Sequence, residues 1–333
     1  MHRSPPAERS LAGEKQLPPR EWIGRFISQF GMVMAFVFMV IVFSLFSRSF
    51  FTLGNFINIA NQTATVSVIA FGMTMVMLAG GIDLSVGSLV SLSAVVCALL
   101  LNGNMATLPA MLISLAIGMT FGFVNGFISV NWAIQPFLVT LGSLSVARGL
   151  SLILSGGRTV YINVKPFLEL TGRGSVGPIP VLFLWTLFFL AVSWILMTQT
   201  TFGRRVRAVG GNLVAARQAG LSVNWIRIKV FMLSGVFAAF AGLMLAGRLS
   251  SGLPSVGSGM ELDAIAASVL GGTGFKGEGG SLVGTLFGAL VLGTVINGLT
   301  ILGVNPYVQE IVKGVIIVLA VLIANIRRQR GER

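Results

Sequence analysis

The sequence predicts an all-α polytopic membrane protein of about ten transmembrane helices, some short or broken, with both termini cytoplasmic. Three observations lead there. Charged residues fill 10% of the 333 positions and hydrophobic ones 54%, whereas soluble domains carry about a quarter charged residues. Apolar stretches recur along the whole length, so one integral domain is expected and not a soluble domain with an anchor. Lys and Arg gather in three places: an N-terminal cluster (Arg3, Arg9, Lys15, Arg20, Arg25), a central one (Arg204 to Lys229) and a C-terminal one (Arg327, Arg328, Arg330, Arg333). Such clusters mark cytoplasmic loops, which accounts for the net charge of +13 without nucleic acid.

Residues 1–29 hold Pro5-Pro6, Pro18-Pro19 and mixed charge, and read as a disordered cytoplasmic tail too polar for a cleaved signal peptide. The membrane domain follows over 30–326. Its spans, each near the roughly 20 apolar residues a crossing needs, are 30–47, 61–80, 86–102, 108–129, 135–155, 179–198, 229–247, 281–302 and 306–326. An odd count would leave the basic tails on opposite sides. The short stretch "GMELDAIAASVLGGTG" (259–274) supplies a tenth, irregular span, which returns the basic tail 327–333 to the cytoplasm. Alternation then puts the link 156–178 outside and the basic segment 199–228 inside, as its charge demands. No alternating strand pattern recurs, which excludes a barrel. Cys97, the single cysteine, reads as a small buried hydrophobe.

Small residues stand at helical spacing. Gly118, Gly122 and Gly126 form one stripe, and Gly284 and Gly288 another, as close backbone packing requires. Gly87-Ser88-Leu89-Val90 is echoed by Gly280-Ser281-Leu282-Val283, each after a glycine-rich break. Transporter folds often contain such duplications.

Three features could carry chemistry. In "GGIDLSVGS" a lone carboxylate, Asp83, stands among Gly80, Gly81, Ser85 and Gly87. Two compatible readings are an N-cap for the following helix, near the cytoplasmic edge, and a polar group at a hinge or path. In "ELDAIAASVLGGTGFKGEGGSLVG", Glu261 and Asp263 are two apart and cannot share a helix face. Ser258 and Glu261 instead fit a capping box. A phosphate loop is excluded, since none of the five lysines follows Gly and precedes Ser or Thr; Lys276 lies between Phe275 and Gly277. The central segment lets Asn212 cap a helix Leu213–Ala219 that Gly220 closes in the left-handed conformation. Charge placement explains its arginines, but not a capped two-turn helix with a small-residue surface, which suits close approach of a partner protein. Catalysis finds no support: the only histidine is His2, and no nucleophile triad or His/Cys metal cluster is present in the sequence.

Together, "GGIDLSVGSLV", "NGFISVNWAIQPFLVTLGSLSVARGL" (125–150), "TTFGRRVRAVGGNLVAARQAGLSV", "ELDAIAASVLGGTG" and "GTLFGALVLGTVINGLTILGV" (284–304) resemble the permease subunits of bacterial ABC importers for monosaccharides. These are the ribose-type branch of the binding-protein-dependent transport family, and the resemblance runs from about residue 30 to 326. It implies a multi-pass inner-membrane subunit that is not itself an enzyme and binds no cofactor, with ATP and Mg²⁺ held by cytoplasmic ATP-binding partners. It further implies a second permease copy, identical or paralogous, and a periplasmic sugar-binding protein that delivers the cargo. Gly203, Arg204, Gly210, Gly211, Asn212, Ala215, Ala216 and Gly220 would form the ATPase coupling loop, and Gly80, Gly81, Asp83, Ser85 and Gly87 a helix-break and gating motif. Weak polar groups such as Asn125, Thr140 and Asn297 would line the path. Glu278 departs from the family's more usual second glycine. Nucleosides, inositol, a furanose-type signal or branched-chain amino acids are alternative cargoes, and an ion-coupled secondary transporter is a rival class that the few buried ionisable groups disfavour.

Overall fold

The computed structural model describes residues 19–274, 277 and 279–331, and the side chains of 31–274, 277, 279–322 and 326. Helices α1 (Pro19–Phe46), α2 (Leu53–Leu78), α3 (Val86–Asn102), α4 (Thr107–Asn131) and α5 (Pro136–Ser155) follow one another through short connections. The next link folds into β1 (Val160–Tyr161), α6 (Lys165–Leu168), a π-helical turn Glu169–Arg173 and a hairpin of β2 (Ser175–Val176) and β3 (Ile179–Pro180). Helix α7 (Val181–Trp194) runs on through a second π-helical turn, Ile195–Gln199, to α8 (Thr201–Gly211), α9 (Leu213–Gln218) and α10 (Val223–Leu249). Strand β4 (Ser251–Gly252) pairs antiparallel with β1, and α11 (Met260–Leu270), α12 (Leu282–Ile301) and α13 (Pro306–Gly331) complete the chain.

All ten apolar stretches read from the sequence are helical. Among the described residues, six helices are long and apolar enough to cross a membrane: α2, α4, α5, α7 with its π-helical turn, α10 and α12. One boundary needs correcting. The expected disordered tail lies outside the described residues as far as 18, but from Pro19 the chain is helical, so 19–29 belong to α1. Proline suits a first helical turn, where its fixed φ is already correct and no N–H is needed. The departure at Glu278 lies outside the described residues.

The two glycine stripes fix the helix directions. A Cβ at Gly118 would overlap the Gly235 carbonyl oxygen, one at Gly122 that of Phe231, and one at Gly126 the Ile228 backbone, so α4 runs antiparallel against α10 at backbone contact. Gly284 and Gly288 likewise meet the carbonyls of Gly271 and Ala267, setting α12 antiparallel to α11. Helix α2 packs on both α10, through Gly72 and Ser234, and α12, through Thr63 and Gly293. A hydroxyl cluster closes that seam, with Thr74 Oγ1 3.0 Å from Ser268 Oγ and 2.8 Å from Thr285 Oγ1. Thus α2 and α10 form the centre, 78% and 83% buried over their apolar windows, against 17% for α5.

The irregular tenth stretch has a definite form. Helix α11, with 11 residues, is about 16 Å long, roughly half a hydrocarbon core. The non-helical chain before it runs back along α3: Gly252 lies against Ala94 and Val95, and Gly257 against Gly87, its N–H donating to Ser91 Oγ at 2.9 Å. Irregular backbone is tolerated at membrane depth only under such protein cover. Lys313 of α13, 3.1 Å from Asp263 Oδ1, ties the last helix to α11.

Because α4 and α10 touch by backbone at Gly122, Gly122→Leu is expected to cost about 1–3 kcal/mol or more through overpacking. Thermal unfolding of the purified protein in detergent reads this as a lowered midpoint, with Gly142→Leu, where a Cβ meets open space, as the unaffected comparison.

Candidate functional site

The site begins where α2 ends. Gly80 takes a left-handed φ of +74°, its N–H donates to the Met77 carbonyl at 2.9 Å, and the Gly81 N–H donates to the Val76 carbonyl at 3.0 Å. These paired bonds make a Schellman turn, which favours glycine because a Cβ is strained in that region. A side chain at Gly81 would also press on Val76 and the Phe231 ring. The turn throws the chain back into the protein, where Asp83 is completely buried.

There the carboxyl group is fully engaged. Its Oδ1 accepts from the Ser85 N–H at 3.1 Å and the Ser85 hydroxyl at 2.6 Å, while Oδ2 accepts from Ser234 Oγ of α10 at 2.9 Å. Asn125 of α4 donates Nδ2–H to Ser85 Oγ at 3.0 Å and accepts at Oδ1 from Ser143 of α5. Thr140 of α5 accepts the Leu84 N–H at 3.1 Å, and its hydroxyl reaches the Phe137 carbonyl at 3.2 Å. Asp83, Ser85, Asn125 and Thr140, singled out separately in the sequence, thus form one buried network joining the α2–α3 break to α4, α5 and α10.

Two expectations change here. Asp83 does not cap α3: Ser85 holds the N-cap position without a side-chain cap bond, and Asp83 instead closes an Asx-type turn two residues on. Asn125 and Thr140 are buried and bonded within the chain, where they brace the break. Asn297, buried on α12 with Oδ1 unpaired, shares no hydrogen bond with them. The capping box is also absent. Gly259 precedes α11 without a side-chain cap, because Ser258 Oγ is turned to Arg148 Nη2 at 3.4 Å.

The central basic segment carries a second part of the site. Helix α8 buries Gly203, Val206 and Val209 and exposes Arg204, Arg205 and Arg207, an amphipathic pattern that seats it on the bundle. Asn212 Oδ1 accepts from the Ala215 N–H at 2.9 Å, and Gly220 closes α9 at a φ of +78°, as its sequence led us to expect. Ala216 is buried beneath this short helix, whereas Leu213, Val214 and Ala215 face outward.

These two parts meet. A Cβ at Gly210 would overlap the Leu78 carbonyl at the end of α2 and crowd Gly277 in the loop before α12. The basic segment therefore seats the last turn of α8 between both glycine-rich breaks of the sequence echo. Gly211, its neighbour, touches nothing. Ser143, Ser234 and Gly277 escaped the sequence reading. Serine in an apolar helix usually bonds its own preceding turn, as Ser193 does here to the Phe189 carbonyl.

A bundle of apolar helices with a buried polar break, pinned to an exposed basic segment, is the architecture of a multi-helix membrane protein. The family model described as "Branched-chain amino acid transport system / permease component" matches residues 55–321, and the chain belongs to that family. The ribose import permease protein of Escherichia coli strain K12 is 41% identical over 298 residues, covering 88% of this chain and 92% of its own. The L-arabinose ABC transporter permease protein of Azospirillum brasilense is 36% identical, covering 93% and 91%. The D-allose transport system permease protein of Escherichia coli strain K12 is 36% identical, covering 89% and 91%. No solved structure matches the chain.

Replacing Asp83 by Asn keeps an acceptor for Ser85, and the Ser234 hydroxyl can rotate to accept from the new amide. Asp83→Asn is therefore expected to unfold within about 1 kcal/mol of the parent. Asp83→Ala strands three donors and is expected to cost about 1–3 kcal/mol. Thermal melts of the two variants in one detergent check the order.

Proposed function

We propose that this chain is the membrane-spanning subunit of an ATP-driven importer that moves a monosaccharide delivered by a periplasmic binding protein. One observation carries the reading: relatives named for ribose, arabinose and allose transport match along about nine-tenths of the chain. Ten crossings with both termini cytoplasmic form part of the proposal. The helix directions support it, since α4 opposes α10 and α2 opposes α12, as alternation requires.

ATP and Mg²⁺ belong to separate cytoplasmic ATPase subunits, and the permease works with a second copy, identical or paralogous. The ATPase docks on the outward face of α9, where Leu213, Val214 and Ala215 lie exposed beside Arg204, Arg205 and Arg217. A shift of that face passes through Gly210 to the Leu78 carbonyl and so to the Asp83 break. Gly203, buried against the Met197 carbonyl, holds the root of the lever. The same segment would open and close the path between two permease copies.

A second cargo class has its own support, because the matching family model is described by branched-chain amino acids. Uptake by the assembled transporter in proteoliposomes separates the two: labelled ribose, arabinose or allose is expected to enter on ATP addition and labelled leucine not, and the reverse outcome would reject the sugar reading.

The glycine pair tests the coupling role. Gly210→Ala must displace the Leu78 carbonyl, so transport is expected to fall about tenfold or more, as a loss near 1.4 kcal/mol would give. Gly211→Ala has open space and is expected to transport like the parent. Membrane insertion is measured alongside, and equal transport by the two variants would remove Gly210 from the coupling path.

A further inference from the structure

Not every polar group at membrane depth finds a partner. Arg148 stands inside the apolar helix α5, half-buried, with one side-chain hydrogen bond among the described residues, a donation from Nη2 to Ser258 Oγ at 3.4 Å. Ser258 is exposed. A guanidinium against lipid tails costs about 2.5–3.5 kcal/mol on insertion scales. The face that carries Arg148 and Ser258 is therefore turned to water or protein.

Glu261 follows Ser258 by three residues and points back under the same turn. Glu261 is 9% exposed, and among the described residues its Oε2 has no hydrogen-bond partner. It lies against α3 at Gly87, where any Cβ would overlap it. The hydroxyls of Ser88, next on α3, and of Ser151, one turn beyond Arg148 on α5, are buried and unpaired as well. This differs from the Asp83 network, in which the bracing atoms are taken up inside the chain. Buried polar atoms left open in this way are completed by a ligand or by water.

We propose that the solute path runs over this face and that Arg148 and Glu261 are its polyol-contacting residues. The guanidinium donates to sugar hydroxyls and the carboxylate accepts from them. One positive and one negative group leave the face without net charge, which matches a neutral sugar, and hydroxyls satisfy both groups at once. Gly87 is a positioning residue: its missing side chain is what lets Glu261 rest against α3. The inference rests on the sugar reading above.

The test uses the complete transporter, with its ATPase and binding protein, in proteoliposomes and labelled ribose, arabinose and allose. Parent protein that imports none of the three rejects the sugar reading itself; parent protein that imports one sets the baseline for the variants. R148Q and E261Q are expected to lower uptake of that sugar about tenfold or more, with subunits assembling at the parent ratio. G87A is expected to lower it in the same direction. The double variant R148E/E261R is expected to stay inactive, since a mere ion pair would tolerate the exchange. Uptake by R148Q and E261Q within about twofold of the parent, or recovery in the exchanged pair, overturns the assignment. Should R148Q fail to assemble, R148K decides: it keeps the charge and loses the fork, so an unchanged KM for the delivered sugar also overturns it.

Discussion

No water reaches the hydrocarbon layer to satisfy a broken backbone, so each interruption of a helix there must find its hydrogen bonds inside the protein. This constraint organises the molecule around the turn after α2. The Schellman bonds of Gly80 and Gly81 close the α2 carbonyls, and Asp83 takes up the Ser85 N–H. Its second oxygen then needs Ser234, and Ser85 is in turn bonded by Asn125. Both partners come within reach only because α4 and α10 touch at backbone distance along Gly118, Gly122 and Gly126. The small-residue stripe and the polar break are thus parts of one solution. Each would be costly without the other.

Much of this was legible in the sequence, and what was not has definite physical causes. Hydropathy found nine of the helical stretches, because a span needs a length of apolar chain whatever it packs against, and the balance of basic tails pointed to the short tenth, which is helical over Met260–Leu270. The Asn212 cap and the left-handed Gly220 were readable, since they depend on residues within a turn of each other. Local motifs failed where a distant side chain competed. The Ser258 box is lost to Arg148, which lies 110 residues away in sequence, and the Asp83 cap gives way to Ser85 and Ser234. Ser143 and Ser234 carried no signal, as they resemble the hydroxyls that bond only their own helix. Arg148 was visible as a cation inside an apolar span, yet its meaning appears only when Ser258, three residues before Glu261, arrives beside it.

The contact between Gly210 and Leu78 explains why glycine, and not merely a small residue, stands at the end of α8. Backbone meets backbone there, with no side chain whose rotamers could absorb a displacement. Close-packed interiors transmit strain because they have little free volume to yield. Gly277 closes on the same point from the other break. Helix α8 thus bears on the turn before α3 and on the loop before α12 together.

The chemistry of the brace leaves its hydrogen bonds exchangeable. Apart from Asp83 it is built from Ser85, Asn125, Thr140, Ser143 and Ser234, with no cation to lock the carboxyl group. A hydroxyl can donate or accept and can turn to a carbonyl of its own helix when a partner leaves. Thr140 already sits between the Ile82 and Phe137 carbonyls, at 3.3 and 3.2 Å. A break held this way can pass between arrangements by exchanging hydrogen bonds, without leaving a buried polar group empty in either. An arginine in place of Ser234 would hold Asp83 more tightly, and breaking a buried ion pair costs about 3–5 kcal/mol. Hydroxyls keep the carboxyl group satisfied while leaving that barrier out of the path.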